Sequence, residues 1–383
     1  MICKKCKNPG TIVLRKKDNY CEECFTASMN HKFRACIGKN KILSSNEKVL
    51  VCLSGGTGSS VLLNLIFDGI SVDSHKKLRI KVCFLHVLMD AADDNTLNQA
   101  QKIMDQCRKR NFNVHVTHIS EYMKPSSELL ESYCLPSKNL KLEQEFSNFI
   151  NKMPSTISND LYPKIKRSLF IRYAKLLNCN LVFTAETTTT LASNLLSNLA
   201  LGRGSQVQND VGLCDTRDDT VTIVRPMRDI SKEELDHYLN IKQLEVPHYD
   251  KTKQNSLQSV INTFVINLQE SFPATISTVC KTADKISAID EVQTKETCIM
   301  CQSNVGTEKT TLTAFDATNF SRTISNSELL DGGSSNHLHF TENNINKSMF
   351  PFIYKHLCFS CSRNYSEMKH TLPNHVQNLL KDK

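Results

Sequence analysis

Residues 49–60 read VLVCLSGGTGSS. An apolar run, Val49 to Leu53, stops at Ser54; two glycines follow, then Thr57, Gly58 and a serine pair. The run is rich in β-branched residues and of strand length. Behind it, SSVLLNLIFDGI (59–70) sets Val61, Leu62, Leu65 and Ile66 on one helical face. A glycine loop between a strand and a helix lines up backbone N–H groups in front of a helix N-terminus, which makes an anion nest. The candidate anion or nucleotide contacts are Ser54, Gly55, Gly56, Gly58, Ser59 and Ser60. A plain strand–helix corner also uses paired glycines, so the spacing has to decide.

Two phosphate loops are excluded by that spacing. The Walker loop needs a lysine after its last glycine, and none follows here. The dinucleotide fingerprint needs a third glycine where Val61 stands. The pattern that fits is S-G-G-x-D-S, the loop of ATP pyrophosphatases that adenylate a carbonyl or a tRNA base. Ser54, Gly55, Gly56 and Ser59 match it, but the acidic place holds Gly58. A carboxylate there supports the magnesium–pyrophosphate end of ATP. Glycine offers no ligand, which puts ATP binding in doubt.

The rest of the middle of the chain alternates in the same way. Strands are expected at 80–88, 112–119, 180–185 and 221–227, with a helix over 95–111 and helical patterns behind the later strands. Strands alternating with helices predict an α/β domain with a parallel sheet covered on both faces. This domain is read as 47–290, interrupted by a polar, mostly helical insertion at 120–165. No internal repeat is read. The segment 302–347, rich in Ser, Thr, Asn and Gly, is expected to be a flexible loop.

At 383 residues and 40% apolar composition, the chain suits two or three globular domains. No apolar stretch follows the basic start MICKKCK, and no run reaches membrane-spanning length, so neither a secretory signal nor a membrane span is expected. The sixteen cysteines are therefore expected in a reducing, cytoplasmic setting, where a disulfide framework does not persist. Half of them fall into C-x-x-C pairs, which points to metal.

Cys3, Cys6, Cys21 and Cys24 have the spacing of a structural zinc site, with two tight turns presenting two thiolates each. A module over 1–46, with its basic bridge, cannot bury much core alone, so metal would supply folding energy. Cys298, Cys301, Cys358 and Cys361 make a second set with a much longer loop between the pairs, expected to close a zinc module within 291–383. Two structural zinc ions are the expectation. Among the other cysteines, Cys52, Cys83 and Cys107 are read as small core residues; Cys134, Cys179 and Cys214 have no partner nearby in sequence.

The net charge of +8 is concentrated at the start: residues 1–48 hold eleven Lys/Arg against four acids. Lys32, Arg34, Lys39 and Lys41, beside the first cysteine module, suit a polyanion. Arg225 and Arg228 lie at the end of the last strand, where ligands of open α/β sheets gather, though internal ion pairs would explain them equally.

Three further stretches carry a family resemblance: HKFRACIGKNKIL (31–43), TAETTTTLASNLLSNLALGRG (184–204) and VRPMRDISKEEL (224–235). Their order, with the glycine loop and flanking cysteine pairs, resembles the cytoplasmic tRNA 2-thiolation proteins, and within that pair the second subunit. The resemblance implies a PP-loop ATP pyrophosphatase-like core. It implies a heterodimer with the catalytic subunit that adenylates O2 of the wobble uridine, U34, in tRNAs for Lys, Glu and Gln. Sulfur would come from a thiocarboxylated ubiquitin-related modifier, giving 5-methoxycarbonylmethyl-2-thiouridine.

The chain departs from the catalytic pattern in three places. Gly58 replaces the loop acid. An acidic G-H-N-x-D-D-like stretch is replaced by Thr184, Ala185, Glu186, Thr187, Thr188 and Thr189, with Glu186 its one acid. The C-x-x-C expected before FIRYAKLL (170–177) is replaced by PKIKRS (163–168). The expectation is a tRNA-binding subunit without catalytic residues of its own. A self-sufficient adenylase or sulfurtransferase, and a zinc-ribbon adaptor with no thiolation role, are the alternatives.

Overall fold

The computed structural model describes residues 2–39, 42–71, 77–90, 93–129, 131–247, 255–272, 274–286, 296–305, 318, 321–322, 356–368 and 372–381. The chain divides into two compact units, Met1–Ile289 and Asp290–Lys383.

The first unit opens with an antiparallel hairpin, β1 (Ile12–Leu14) and β2 (Asp18–Tyr20), and helix α1 (Glu22–Lys39). Two βαβ steps follow: β3 (Glu47–Leu53), α2 (Thr57–Ile70), β4 (Ile80–Leu88), α3 (Asp94–Arg108) and β5 (Val114–His118). Helices α4 (Leu140–Asn151) and α5 (Ser155–Leu176) lead to β6 (Leu181–Phe183). Then come α6 (Thr188–Ala200), α7 (Val207–Val211), β7 (Cys214–Asp215), β8 (Thr222–Val224) and α8 (Lys232–Lys242). Helices α9 (Leu257–Ser271) and α10 (Thr275–Ile286) complete the unit.

The six-stranded sheet runs β5-β4-β3-β6-β8-β7. Five strands are parallel, as the alternation implied; β7 is a two-residue antiparallel edge that the sequence did not announce. Central strands of such a sheet are apolar on both faces because helices cover both. Val49, Val51 and Leu53 join one core with Val61, Leu62, Leu65 and Ile66 of α2 and Ile103 and Met104 of α3. On the other face, Tyr173 of α5 shares a 2.7 Å hydroxyl contact with Thr117 of β5.

The hairpin and α1 belong to the same core. Ile12, Leu14, Phe25, Met29, Phe33 and Ile37 cluster with Leu235 and Tyr238 of α8. The first cysteine module therefore rests on the α/β sheet, and its fold does not depend on its own few residues alone.

Local signals set the helix ends. Asp93 caps α3 and Thr187 caps α6; Ser231 and Glu234 form a reciprocal capping box on α8. Helix α5 ends in a Schellman motif: Asn178 is left-handed (φ 53°), and the N–H of Cys179 reaches the carbonyl of Ala174 at 2.8 Å.

Two buried ion-pair groups fix α5 against the segment beyond α6. Asp160 accepts from both terminal guanidinium nitrogens of Arg203 and pairs with Lys164 at 2.8 Å. Asp215 pairs with Arg167 at 2.7 Å and with Arg217 at 2.6 Å.

In the second unit, the described residues form a tight turn over 296–305 and two helices, α11 (Phe359–Glu367) and α12 (Asn374–Lys381). The stretch 302–347 expected to be a flexible loop lies outside the described residues, apart from 302–305, 318 and 321–322.

Candidate functional site

The strand order reverses between β3 and β6: one half of the sheet grows from β3 toward β5, the other from β6 toward β8. At such a switch point the loops leaving the two strands diverge and leave a crevice for a ligand. Here those loops are Ser54–Gly56, leading into α2, and Thr184–Thr187, leading into α6.

The glycine loop joins the end of β3 to the start of α2. Gly55 takes φ 82°, a conformation that favours glycine. Its hydroxyls turn inward. Ser59 Oγ donates to the Gly56 carbonyl at 2.9 Å and Ser60 Oγ to the same oxygen at 3.2 Å. Ser54 Oγ accepts from the Gly56 N–H at 3.3 Å and donates to Ser59 Oγ, also at 3.3 Å.

Gly58 sits in the first turn of α2, against the opposite loop. A Cβ built there would lie 2.9 Å from the carbonyl oxygen of Ala185. That is inside contact distance and the obstacle is backbone, so the crevice has no room for an aspartate at this place. The threonines that replace the acidic stretch have structural duties. Thr187 accepts from the Thr190 N–H, and Thr188 Oγ1 donates to the Arg228 carbonyl at 2.7 Å. Glu186 is part-buried, and its Oε2 makes no hydrogen bond.

The basic residues separate. Lys32 on α1 is half-buried and pairs with Glu234 at 2.6 Å; Arg34 is half-buried on the same helix. Lys39 ends α1 with its side chain outside the described residues, and Lys41 lies wholly outside them. Arg225 and Arg228 are engaged within the protein. Arg225 is 6% exposed and donates to the carbonyls of Gly212 (2.8 Å) and Asn209 (3.0 Å). Arg228 pairs with Asp284 of α10 at 2.7 Å. The strand end that carries them is covered by α7 and α10, elements the sequence did not place there.

Both four-cysteine sets come together. In each, the sulfurs all lie within 4.8 Å of one another. Cys6 and Cys21 Sγ are 3.5 Å apart, and Cys301 and Cys358 Sγ are 3.6 Å apart. A tetrahedral ion with Zn–S of about 2.3 Å sets sulfurs about 3.8 Å apart, so each cage fits one mononuclear ion. A four-iron cluster needs a wider cage.

The two cages share one construction, a repeat hidden in the sequence. The N–H of Cys3 bonds the Asn8 carbonyl at 2.7 Å, and that of Cys298 bonds the Ser303 carbonyl at 2.8 Å. Lys7 and Gln302, four positions after those cysteines, are both left-handed, at φ 64° and 58°. An isolated bridge closes each turn, Ile2 with Pro9 and Thr297 with Asn304. The second pair of each set sits at a helix start, Cys21 and Cys24 at α1 and Cys358 and Cys361 at α11.

The other cysteines are mostly core. Burial pushes the Cys36 and Cys107 thiols up to about 12 and Cys280 up to about 11. Cys214 is pushed up for the same reason. Cys134 is exposed. Cys179, which has no partner nearby in sequence, stands 3.5 Å from Cys83 across 96 positions. No local spacing signals that contact.

Sheet order, switch-point loop and crossover helices define an α/β protein of the PP-loop ATP pyrophosphatase-like class. The fold matches the U34-tRNA thiolase NcsA from Methanococcus maripaludis, solved with its [4Fe-4S] cluster. The TM-score is 0.59 and the identity 16%, covering 80% of this chain and 97% of that one. The family described as cytoplasmic tRNA 2-thiolation protein 2 matches residues 256–363. The Drosophila melanogaster protein of that name is 32% identical over 339 residues, covering 84% of this chain and 81% of its own. The Aedes aegypti protein is 31% identical over 299 residues, covering 75% of this chain and 66% of its own. The chain belongs to the cytoplasmic tRNA 2-thiolation protein 2 family, in agreement with the resemblance of its motifs. Among the described residues, no helix is long and apolar enough to cross a membrane.

Proposed function

We propose that this protein is the tRNA-binding, non-catalytic subunit of a cytosolic heterodimer that 2-thiolates the wobble uridine U34 of tRNAs for Lys, Glu and Gln. The partner subunit supplies the adenylating loop acid and the sulfur-handling cysteines, and the ubiquitin-related modifier supplies the sulfur. The observation that carries this reading is the contact at Gly58. The loop acid is missing, and the Ala185 carbonyl oxygen lies 2.9 Å from where its Cβ would be, too close to admit one without a shift. The family membership and the threonines in place of the acidic stretch support it.

In this reading the PP-loop frame keeps its strand, its glycine turn and its helix as architecture. The α1 region with Arg34, Lys39 and Lys41 meets tRNA phosphates, which need only positive charge at the right spacing, while Lys32 is held inside by Glu234. Each four-cysteine cage holds one structural zinc ion, closed by thiolates and without a position for substrate. Cage one fixes the hairpin and the start of α1, and so orients the basic helix.

The test is made in cells and with pure protein. Deleting the gene is expected to abolish wobble 2-thiouridine, read as lost retardation of those tRNAs on a mercury gel. The isolated chain is expected to release no tRNA-dependent pyrophosphate. Intact thiouridine after deletion overturns the pathway assignment; pyrophosphate release without a partner overturns the non-catalytic one.

A further inference from the structure

The proposed function leaves Cys83 and Cys179 unused. Cys83 lies on β4 and Cys179 in the turn between α5 and β6, 6% and 1% exposed, and their Sγ atoms are 3.5 Å apart. Cys179 is the residue after the left-handed Asn178 in the helix cap, a place that any apolar side chain could fill. An apolar residue would not face a second thiol, nor share its surroundings with an ammonium. Lys48 Nζ donates to the Leu177 carbonyl at 2.6 Å, and Cys179 Sγ contacts the same oxygen at 3.7 Å. Lys48 itself is exposed, so solvent reaches the residue whose ammonium shares the Leu177 carbonyl with Cys179.

We propose that Cys83 and Cys179 form a redox-modification site, a dithiol that hydrogen peroxide converts to an intramolecular disulfide and a dithiol reductant restores.

The two sulfurs have different roles. The side-chain contact with Cys83 holds the Cys179 thiol below its ordinary value against the opposing effect of burial, and Lys48 adds to the lowering. The same contact, with burial, pushes Cys83 up. Cys179 is therefore the thiolate that attacks and Cys83 the thiol that resolves. The Cys179 thiolate attacks one peroxide oxygen; the O–O bond breaks, and the departing hydroxide takes a proton to become water. Cys83 sulfur then attacks the Cys179 sulfenic sulfur. The S–O bond breaks, hydroxide leaves with the Cys83 proton as a second water, and the S–S bond forms. Two thiols are oxidised and one peroxide is reduced to two waters. The sulfurs must close from 3.5 Å to about 2.05 Å, which a cap residue at the end of a helix can accommodate. The bond would join β4 to the turn before β6, the two strands that flank β3 and its glycine loop. A disulfide that forms and reverses is the form expected of a redox-sensing pair in a reducing compartment.

The test is non-reducing peptide mapping of the full-length, metal-loaded protein after a peroxide titration and alkylation. The expected result is a linked pair of the Cys83 and Cys179 peptides, two hydrogens lighter than their sum and lost on adding dithiothreitol. In C83S the link is absent and Cys179 becomes trappable by dimedone as a sulfenic acid. Recovery of both residues as alkylated free thiols, at peroxide that has already oxidised exposed Cys134, overturns the proposal. So does a link of Cys179 to some other cysteine in its place. The wild-type map decides by itself if C83S does not fold.

Discussion

The carbonyl oxygen of Ala185 lies 2.9 Å from where Gly58 would carry a Cβ, so the loop after β6 crowds the place of the loop acid. Neither residue is unusual by itself. Together they mean that the acid cannot be reinstated by substitution alone. In a helix, alanine is ordinarily favoured over glycine by about 1 kcal/mol. Here the clash with backbone outweighs it, as overpacking costs about 1–3 kcal/mol. Gly58→Ala is expected to lower Tm, and Gly58→Asp to lower it further without creating pyrophosphate release. Thermal melts and a pyrophosphate assay on the two variants check this. A stabilised G58A would show that the loop yields.

Metal content should follow the two cages. Mass spectrometry of the intact protein under native conditions is expected to find about two zinc ions per chain. Cys6→Ser and Cys301→Ser should each remove about one. The consequences differ, because cage one is continuous with the core through Phe25, Met29 and Phe33. C6S is expected to lower the main unfolding transition of the α/β unit, whereas C301S leaves that transition in place. Equal effects of the two variants on that transition would contradict this division.

The Asp215 carboxylate is 1% exposed and serves two guanidinium groups, those of Arg167 and Arg217. Asp215→Asn leaves both cations without that charge inside the protein, a loss of about 3–5 kcal/mol. Urea unfolding measures it, and a change under about 1 kcal/mol would mean that water enters the site.

The same pairs predict an acid limb to stability. Burial raises the carboxyls of Asp160 and Asp215, but their cations outweigh it and hold both well below the usual range. A depressed native pKa gives stabilisation that is complete above the unfolded value, about pH 4, and is lost as pH falls from there toward the native pKa. Wild-type stability should decline below about pH 4, and the decline should be shallower in D215N. A decline of equal steepness in both would remove Asp215 from the account.

The two groups of basic residues are expected to behave differently toward tRNA. Arg34→Glu should weaken binding similarly across tRNA sequences and lower the salt slope by about one unit for each phosphate the helix no longer neutralises. Arg225→Ala should lower Tm and leave that slope unchanged, since its guanidinium holds the carbonyls of Gly212 and Asn209. Filter binding over a salt series, beside thermal melts, tells the two apart.

Much of this molecule is legible in its sequence. The β4 bounds, 80–88, follow from a mostly apolar, β-branched run of strand length. The cysteines of both cages are legible as C-x-x-C pairs, because a tight turn that brings two thiols together is a local event; that the distant pairs meet is seen only in the fold. The antiparallel β7 edge is not legible there, since two residues carry no period. Nor is the shared construction of the two cages, because hydrogen bonds and left-handed turns repeat there while the side chains do not.

The sequence by itself determined a PP-loop-type α/β unit, the glycine in its loop acid's place and the C-x-x-C pairs of its cages, because a strand, a loop and a cysteine pair are each written in a short local pattern. The tertiary structure decided whether the lost acid could return, which arginines face inward and which thiols meet. Those depend on contacts such as Gly58 with Ala185, across the adjacent strands β3 and β6, and Cys83 with Cys179, beside the two strands that flank β3, between residues far apart in the chain.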